Sequence, residues 1–192
     1  MLTDCCERLE QHQLKIAFLE SASSGYLSSQ FSLYKNSGAD IFVGGLVCYD
    51  PSVKTQLLGI DPILIERYTA ESAEVTRALC EHADRLFPQA DLWIGCTGLL
   101  KSGGSENKDK PIGTFFICIR YAERYFEYRY QLGNAPQVSL DLLTDMVASE
   151  LMSIIEHHII AQPADAYAFN ESSNSNSNSN SNSNSNSNDA HL

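Results

Sequence analysis

Three stretches of this 192-residue sequence gather side chains that can do chemistry. In the first, Glu20 is followed by Ser21-Ala22-Ser23-Ser24-Gly25, and in the second Tyr49 precedes Lys54 by five residues. The third, residues 97–104, runs from Thr97-Gly98 through Leu99, Leu100, Lys101 and Ser102 to Gly103-Gly104. A serine hydroxyl is a weak nucleophile unless a neighbouring base takes its proton. A lysine amine is such a base only when neutral, which asks its pKa of about 10.4 to fall toward ~7–8. Desolvation against apolar strand ends moves it in that direction. Backbone N–H groups at a helix start, and glycines that admit close backbone approach, suit an oxyanion or a phosphate. Taken singly, each residue has a plainer reading: Ser21 caps a helix, Lys54 is solvated on one, and Tyr49 packs at a strand end.

Other reactive types are less informative. Cys5, Cys6, Cys48, Cys80, Cys96 and Cys118 form no Cys-x-x-Cys pair, and three lie in apolar, strand-like runs. They read as reduced, buried thiols of a cytoplasmic protein rather than disulfides or zinc ligands. His157 and His158 are adjacent, so on a helix they point apart and make a poor metal pair. Nothing in the sequence calls for a metal or a cofactor.

The elements that must position these groups follow from periodicity. Residues 15–19 form a short apolar run, a first strand, and residues 26–33 read as the helix after it, with the serines of the corner as its caps. Residues 41–48, apolar nearly throughout and containing Gly44-Gly45, read as a strand buried on both faces. Asp50-Pro51 and Asp61-Pro62 each start a short helix, the first ending near Gly59. Ser72 caps a longer helix with Val75, Leu79, Ala83 and Leu86 on one face, closed by Pro88. Residues 92–96 form a third buried strand, 112–119 a fourth, and 121–130 a half-buried fifth joined to the fourth as an edge hairpin. Leu140, Leu143, Val147, Leu151 and Ile154 recur at helical spacing. This order predicts an α/β fold: a three-layer α/β/α sandwich around a mostly parallel sheet, with a C-terminal hairpin and a closing helix. In such sheets ligands gather beyond the carboxyl ends of the strands, where the three chemical stretches fall.

Composition bounds the rest. Residues 173–188 are a strict Ser-Asn alternation with nothing apolar to bury, so residues 169–192 read as a disordered tail after one domain of residues 1–168. Net charge is −11, with 24 acidic and 13 basic residues and no basic cluster, which argues against nucleic-acid and anionic-membrane partners. A local pocket for one phosphorylated metabolite stays open, since net charge says little about a cleft. No apolar run approaches the ~20 residues that span a bilayer, and residues 1–13 lack the pattern of a signal peptide.

The three stretches resemble the CinA C-terminal family. Its Ala-Glu-Ser-Cys-Thr-Gly-Gly signature is matched by Leu19-Glu20-Ser21-Ala22-Ser23-Ser24-Gly25. Its Gly-Gly-x-Val-x-Tyr-Ser-Asn-x-x-Lys block is matched from Gly44-Gly45 through Tyr49 to Lys54, followed by Leu57-Leu58-Gly59-Ile60. Its Gly-rich block and Lys-Pro-Val-Gly-Thr are matched by residues 97–104 and by Lys110-Pro111-Ile112-Gly113-Thr114. Four blocks in order cover roughly residues 10–160. Departures are concentrated in the loops: Ala22 stands for the family Cys, Ser24 for a Gly, Leu99-Leu100-Lys101-Ser102 for Ile-Ala-Gly-Pro, and an arginine expected before the last helix is missing. The chain reads as a stand-alone form without the larger N-terminal domain that many members carry.

The resemblance implies deamidation of nicotinamide mononucleotide, a pyridine nucleotide, by Ser21 as nucleophile with Lys54 and Tyr49 assisting. It implies substrate contacts from Glu20, Ala22, Ser23, Ser24, Gly25 and Gly45, and from Thr97, Gly98, Gly103 and Gly104. Lys101 has no family counterpart; it is either solvated or a cation for the substrate phosphate. Two alternatives stand beside this: a catalytically inactive nucleotide- or partner-binding domain, and an amidase with another substrate. Small α/β enzymes often form homo-oligomers, and the sequence leaves that state open.

Overall fold

A computed structural model describes residues 1–34, 38–133 and 135–161; the expected tail lies outside these. Its five-stranded sheet has the order β2-β1-β3-β4-β5. Strands β1 (Ile16–Glu20), β2 (Phe42–Val47) and β3 (Leu92–Gly98) run parallel, with β1 between the others. Strands β4 (Thr114–Tyr121) and β5 (Arg124–Gln131) continue the sheet antiparallel as the expected hairpin, turning at Ala122. The parallel part carries the three chemical stretches at the carboxyl ends of its strands.

Helices cover both faces. On one side Ile16, Phe18, Ile94, Phe115 and Ile117 pack against α1 (Leu2–Gln11), α2 (Tyr26–Ser32) and α6 (Pro136–Ile154). On the other Ala17, Leu19 and Trp93 meet α3 (Pro51–Leu58), α4 (Pro62–Tyr68) and α5 (Ala73–Glu81). The alternation of Ile16 and Phe18 with Ala17 and Leu19 is the two-residue period of a strand buried on both faces. This is the three-layer α/β/α arrangement expected from the element order.

The start and stop signals work as their chemistry dictates. The Asp50 carboxylate accepts from Ser52 N–H at 2.8 Å, Asp61 from Ile63 N–H at 2.9 Å, and Ser72 Oγ from Val75 N–H at 3.2 Å. All six cysteines are unpaired and buried.

Four expectations are corrected. The strand at 41–48 is not buried on both faces: β2 is an edge strand, its residues half-buried or exposed, because among the described residues only β1 flanks it and Gly44-Gly45 offers no side chains to cover. The helix from Ser72 stops at Glu81; a 3₁₀ turn at Ala83–Arg85 follows, and Leu86 is left on the surface. Residues 2–11, read only for targeting signals, form α1, which buries Cys5, Cys6 and Leu9. And no serine side chain caps α2, whose N-cap is Gly25 at φ +88°.

The cap of α2 comes instead from Glu20, a residue with no solvent exposure at the end of β1. Its Oε2 accepts from Gly25 N–H and Leu27 N–H, both at 3.1 Å; its Oε1 accepts from Ser28 N–H at 2.8 Å and Ser28 Oγ at 2.5 Å. A buried carboxylate is tolerable only with such full pairing, and the helix N-terminus adds a favourable dipole. Gly45 makes this fit: a Cβ there would lie 2.2 Å from Ser28 Oγ. Gly45→Ala is therefore expected to cost about 1–3 kcal/mol by driving Ser28 off Glu20. Urea unfolding of Gly45→Ala, Ser28→Ala and the pair should show a combined loss smaller than the sum, since one contact is broken twice.

Candidate active site

Ser21 follows β1 directly, pinned to the neighbouring strand by its N–H, which donates to Cys96 O at 2.9 Å. The chain then turns sharply: Ser24 N–H returns to Ser21 O at 3.1 Å, with Ser24 at φ +50° and Gly25 at φ +88°. The turn leaves Ser21 at the floor of a cavity of about 390 Å³.

Lys54, on the first turns of α3, has no solvent exposure, and its Nζ lies 3.1 Å from Ser21 Oγ. The same nitrogen donates to Cys48 O at 2.5 Å and Tyr49 O at 3.3 Å. A neutral amine has two N–H bonds and one lone pair. With the two carbonyls taking the N–H bonds, the lone pair is left for the serine O–H. Burial drives the Lys54 pKa below the ordinary lysine value of 10.5, while the Glu71 and Asp50 carboxylates pull it back in part. Cys48 itself is pushed up to about 11 by burial and stays a thiol at neutral pH.

Tyr49 does not join this pair through its side chain. It lines the cavity at the rim, 67% exposed, and its link to Lys54 is through its backbone carbonyl. Among the other sequence candidates, Ala22, Ser24, Gly98, Gly103 and Gly104 line the cavity. Glu20, Ser23, Gly25, Gly45 and Thr97 do not; Ser23 Oγ is buried without a hydrogen-bond partner among the described residues, and the other four have a structural task. Glu20, Gly25 and Gly45 build the clasp at α2. The Thr97 hydroxyl pairs with Thr76 Oγ1 at 2.7 Å, and Ser23 faces the Cys96 thiol. The N–H groups of Ser24 and Gly25 are already occupied, by Ser21 O and Glu20. Ala22 N–H has no acceptor among the described residues, so it is the donor of this turn open to a ligand.

Sequence reasoning missed Glu71, which lines the cavity from the α4–α5 joint, and assigned no role to Lys110. Lys110 is buried and donates to Thr69 Oγ1 at 2.6 Å, Glu71 O at 2.8 Å and Ser105 Oγ at 2.6 Å. Glu71 lies outside the three strand-end loops, so no local signal marks it; only the packing of α4 and α5 brings it in.

The model of the CinA C-terminal domain matches residues 1–153. The chain belongs to the CinA C-terminal domain family. Protein MG115 of Mycoplasma genitalium is 28% identical over 142 residues, 73% of this chain and 88% of that protein. A CinA-like protein of Acidobacterium capsulatum is 35% identical over 143 residues, 70% of this chain; the chain spans 34% of that relative's length. A crystal structure of a competence-damaged protein (CinA) superfamily protein from Enterobacter cloacae superposes with TM-score 0.71 at 25% identity, covering 79% of this chain and 89% of that one. Against the CinA pattern, the departures have visible consequences. Ser24 occupies a left-handed conformation where the pattern has glycine, a placement that strains a residue with a Cβ. Ala22, in the Cys position, is packed into the core. Leu99 is buried, its N–H bonded to Thr114 O at 2.8 Å, so the altered segment continues the sheet before Lys101 and Ser102 emerge.

The depressed Lys54 pKa has a consequence for stability. Between that pKa and the unfolded value of 10.5 the native state holds fewer protons than the unfolded chain, so this contribution rises with pH and is lost as pH falls through the folded pKa. The raised thiol pKa values of buried cysteines act oppositely above their ordinary 9.0. The stability difference between wild type and Lys54→Met isolates the lysine. In urea unfolding from about pH 7 to about pH 10 that difference should shift steadily in favour of wild type.

Proposed function

We propose that the domain is an amidohydrolase acting on a carboxamide-bearing pyridine nucleotide, nicotinamide mononucleotide, which it converts with water to nicotinate mononucleotide and ammonia. The reading rests on the 3.1 Å approach of Lys54 Nζ to Ser21 Oγ at the floor of the cavity. Neutral Lys54 takes the Ser21 proton as Oγ attacks the carboxamide carbon. Ala22 N–H, on the residue after the nucleophile, donates to the oxyanion. The protonated lysine returns its proton to the departing nitrogen, releasing ammonia and leaving an ester on Ser21. Water, with Lys54 again as base, hydrolyses that ester and restores the serine. Lys101, on the Gly-rich wall, supplies a cation for the phosphate.

A second reading, an amidase for another carboxamide, is favoured by one observation. The Gly103 N–H that a phosphate would use is held by Glu106 Oε1 at 2.9 Å. A panel of carboxamides with and without phosphate separates the two.

In an ammonia-release assay, Ser21→Ala and Lys54→Met should each remove activity. Tyr49→Phe should cost far less than the ~10²–10⁴-fold of a group that moves a proton. Equal loss in Tyr49→Phe and Lys54→Met would place the tyrosine hydroxyl in the mechanism and overturn the two-residue account. Activity of wild type should rise with pH along a limb whose midpoint lies below 10.5, as the buried amine loses its proton.

A further inference from the structure

Glu71 is held in the cavity wall by more structure than a surface glutamate needs. The residue two before it, Thr69, sits at φ +71° and ψ +159°, a region almost restricted to glycine and hard on a β-branched side chain. That conformation is kept by contacts from three sides. Thr69 N–H bonds Ile65 O at 2.8 Å, Ser72 Oγ donates to Thr69 O at 3.0 Å, and Lys110 Nζ reaches Thr69 Oγ1 at 2.6 Å. Strain maintained in this way is found where a side chain must be delivered to one place.

The delivered group is a carboxylate with one oxygen engaged and one open. Glu71 Oε2 accepts from Ser105 Oγ at 2.5 Å. Its other oxygen has no hydrogen bond among the described residues, and the carboxylate makes no ion pair with any of them. The Lys110 charge interacts with the carboxylate from nearby, but its three N–H bonds go to Thr69 Oγ1, Glu71 O and Ser105 Oγ, leaving the second carboxylate oxygen without a donor. The open oxygen belongs to a residue of the cavity lining, whose charged members are Glu71, Asp50 and Lys101. Glu71 shares that lining with Ser21, so a ligand that reaches the serine hydroxyl lies in the same cavity of about 390 Å³.

We infer that Glu71 is a specificity residue that selects a positively charged ring on the carboxamide substrate, its open carboxylate oxygen facing the cation beside the carbonyl that Ser21 attacks. This rests on the amidohydrolase reading and adds the residue that reads the ring charge of its substrate, favouring the N-substituted pyridinium carboxamide over its uncharged counterpart. A carboxylate in a partly desolvated wall discriminates a unit charge by about tenfold or more.

The oxidised mononucleotide and its 1,4-dihydro form share carboxamide, ribose and phosphate but differ by the ring charge. Their dissociation constants are measured by calorimetry on full-length Ser21→Ala protein, with and without Glu71→Gln. The parent should bind the oxidised form at least about tenfold more tightly, and Glu71→Gln should bring the ratio close to one. Glutamine keeps an acceptor for Ser105, so the fold is expected to hold, and a melting curve checks it. Glu71→Asp, which retracts the charge without removing it, should give an intermediate ratio. Removing Glu71 also favours neutral Lys54, which would ease cation binding; the predicted loss has the opposite sign and is not confused with it. An unchanged ratio in folded Glu71→Gln protein overturns the inference. Binding of neither nucleotide overturns the pyridine-nucleotide reading itself, and this inference with it.

Discussion

A carboxylate removed from water needs donors on every side, and Glu20 finds four of them in the first residues of α2. This one group joins the end of the central strand to the start of the helix that follows. It therefore decides the path of the residues between, Ser21 among them. The turn is drawn so tight that Ser24 and Gly25 both take left-handed conformations. Ser21 is left with its hydroxyl at the cavity floor and its N–H bonded to β3. Breaking the clasp would free Ser21 as well as the helix. The glycine at position 45 belongs to the same constraint, because the Ser28 hydroxyl that completes the clasp occupies the space a Cβ would take.

The second constraint is the burial of Lys54. An ammonium with no exposure is costly, and the neutral amine is favoured by the same desolvation. The chain supplies two backbone carbonyls from the end of β2, enough for the N–H bonds of a neutral amine and too few for an ammonium without the serine. The edge position of β2 contributes to this. With no further strand beyond it among the described residues, its end is free to turn into α3 and carry Lys54 inward beneath Ser21. The lowered proton affinity of the lysine and its 3.1 Å approach to the serine hydroxyl thus arise from one packing arrangement.

Much of the scaffold is legible because it is written in local chemistry. Asp50-Pro51, Asp61-Pro62 and Ser72 cap their helices through contacts with residues two or three positions away, and Gly59 ends α3 in a left-handed conformation that glycine adopts readily. Ser21 and Lys54 are reached through motif resemblance and the rule that sites lie beyond strand carboxyl ends. The corrections share a cause. Apolarity in β2 suggests burial, but burial depends on how many neighbours a strand acquires. The motif places Glu20, Gly45 and Thr97 with the substrate, although their partners are Ser28 on α2 and Thr76 on α5. It also groups Tyr49 with Ser21 and Lys54, yet it is the tyrosine's carbonyl that bonds Lys54.

What the sequence determined by itself is the strands, the helices after the first one, their order and the identity of the loops at the carboxyl ends of the parallel strands. Periodicity, caps and turn residues act over a few positions and can be read along the chain. What only the tertiary structure decided is which groups lie together and in what state: Lys54 against Ser21, 33 positions apart, and Glu71 held by Ser105, 34 positions away. Proton affinity and hydrogen-bond occupancy depend on the atoms within a few ångströms and on the water excluded from among them. Those neighbours exist only once the strands have paired and the helices have packed on them.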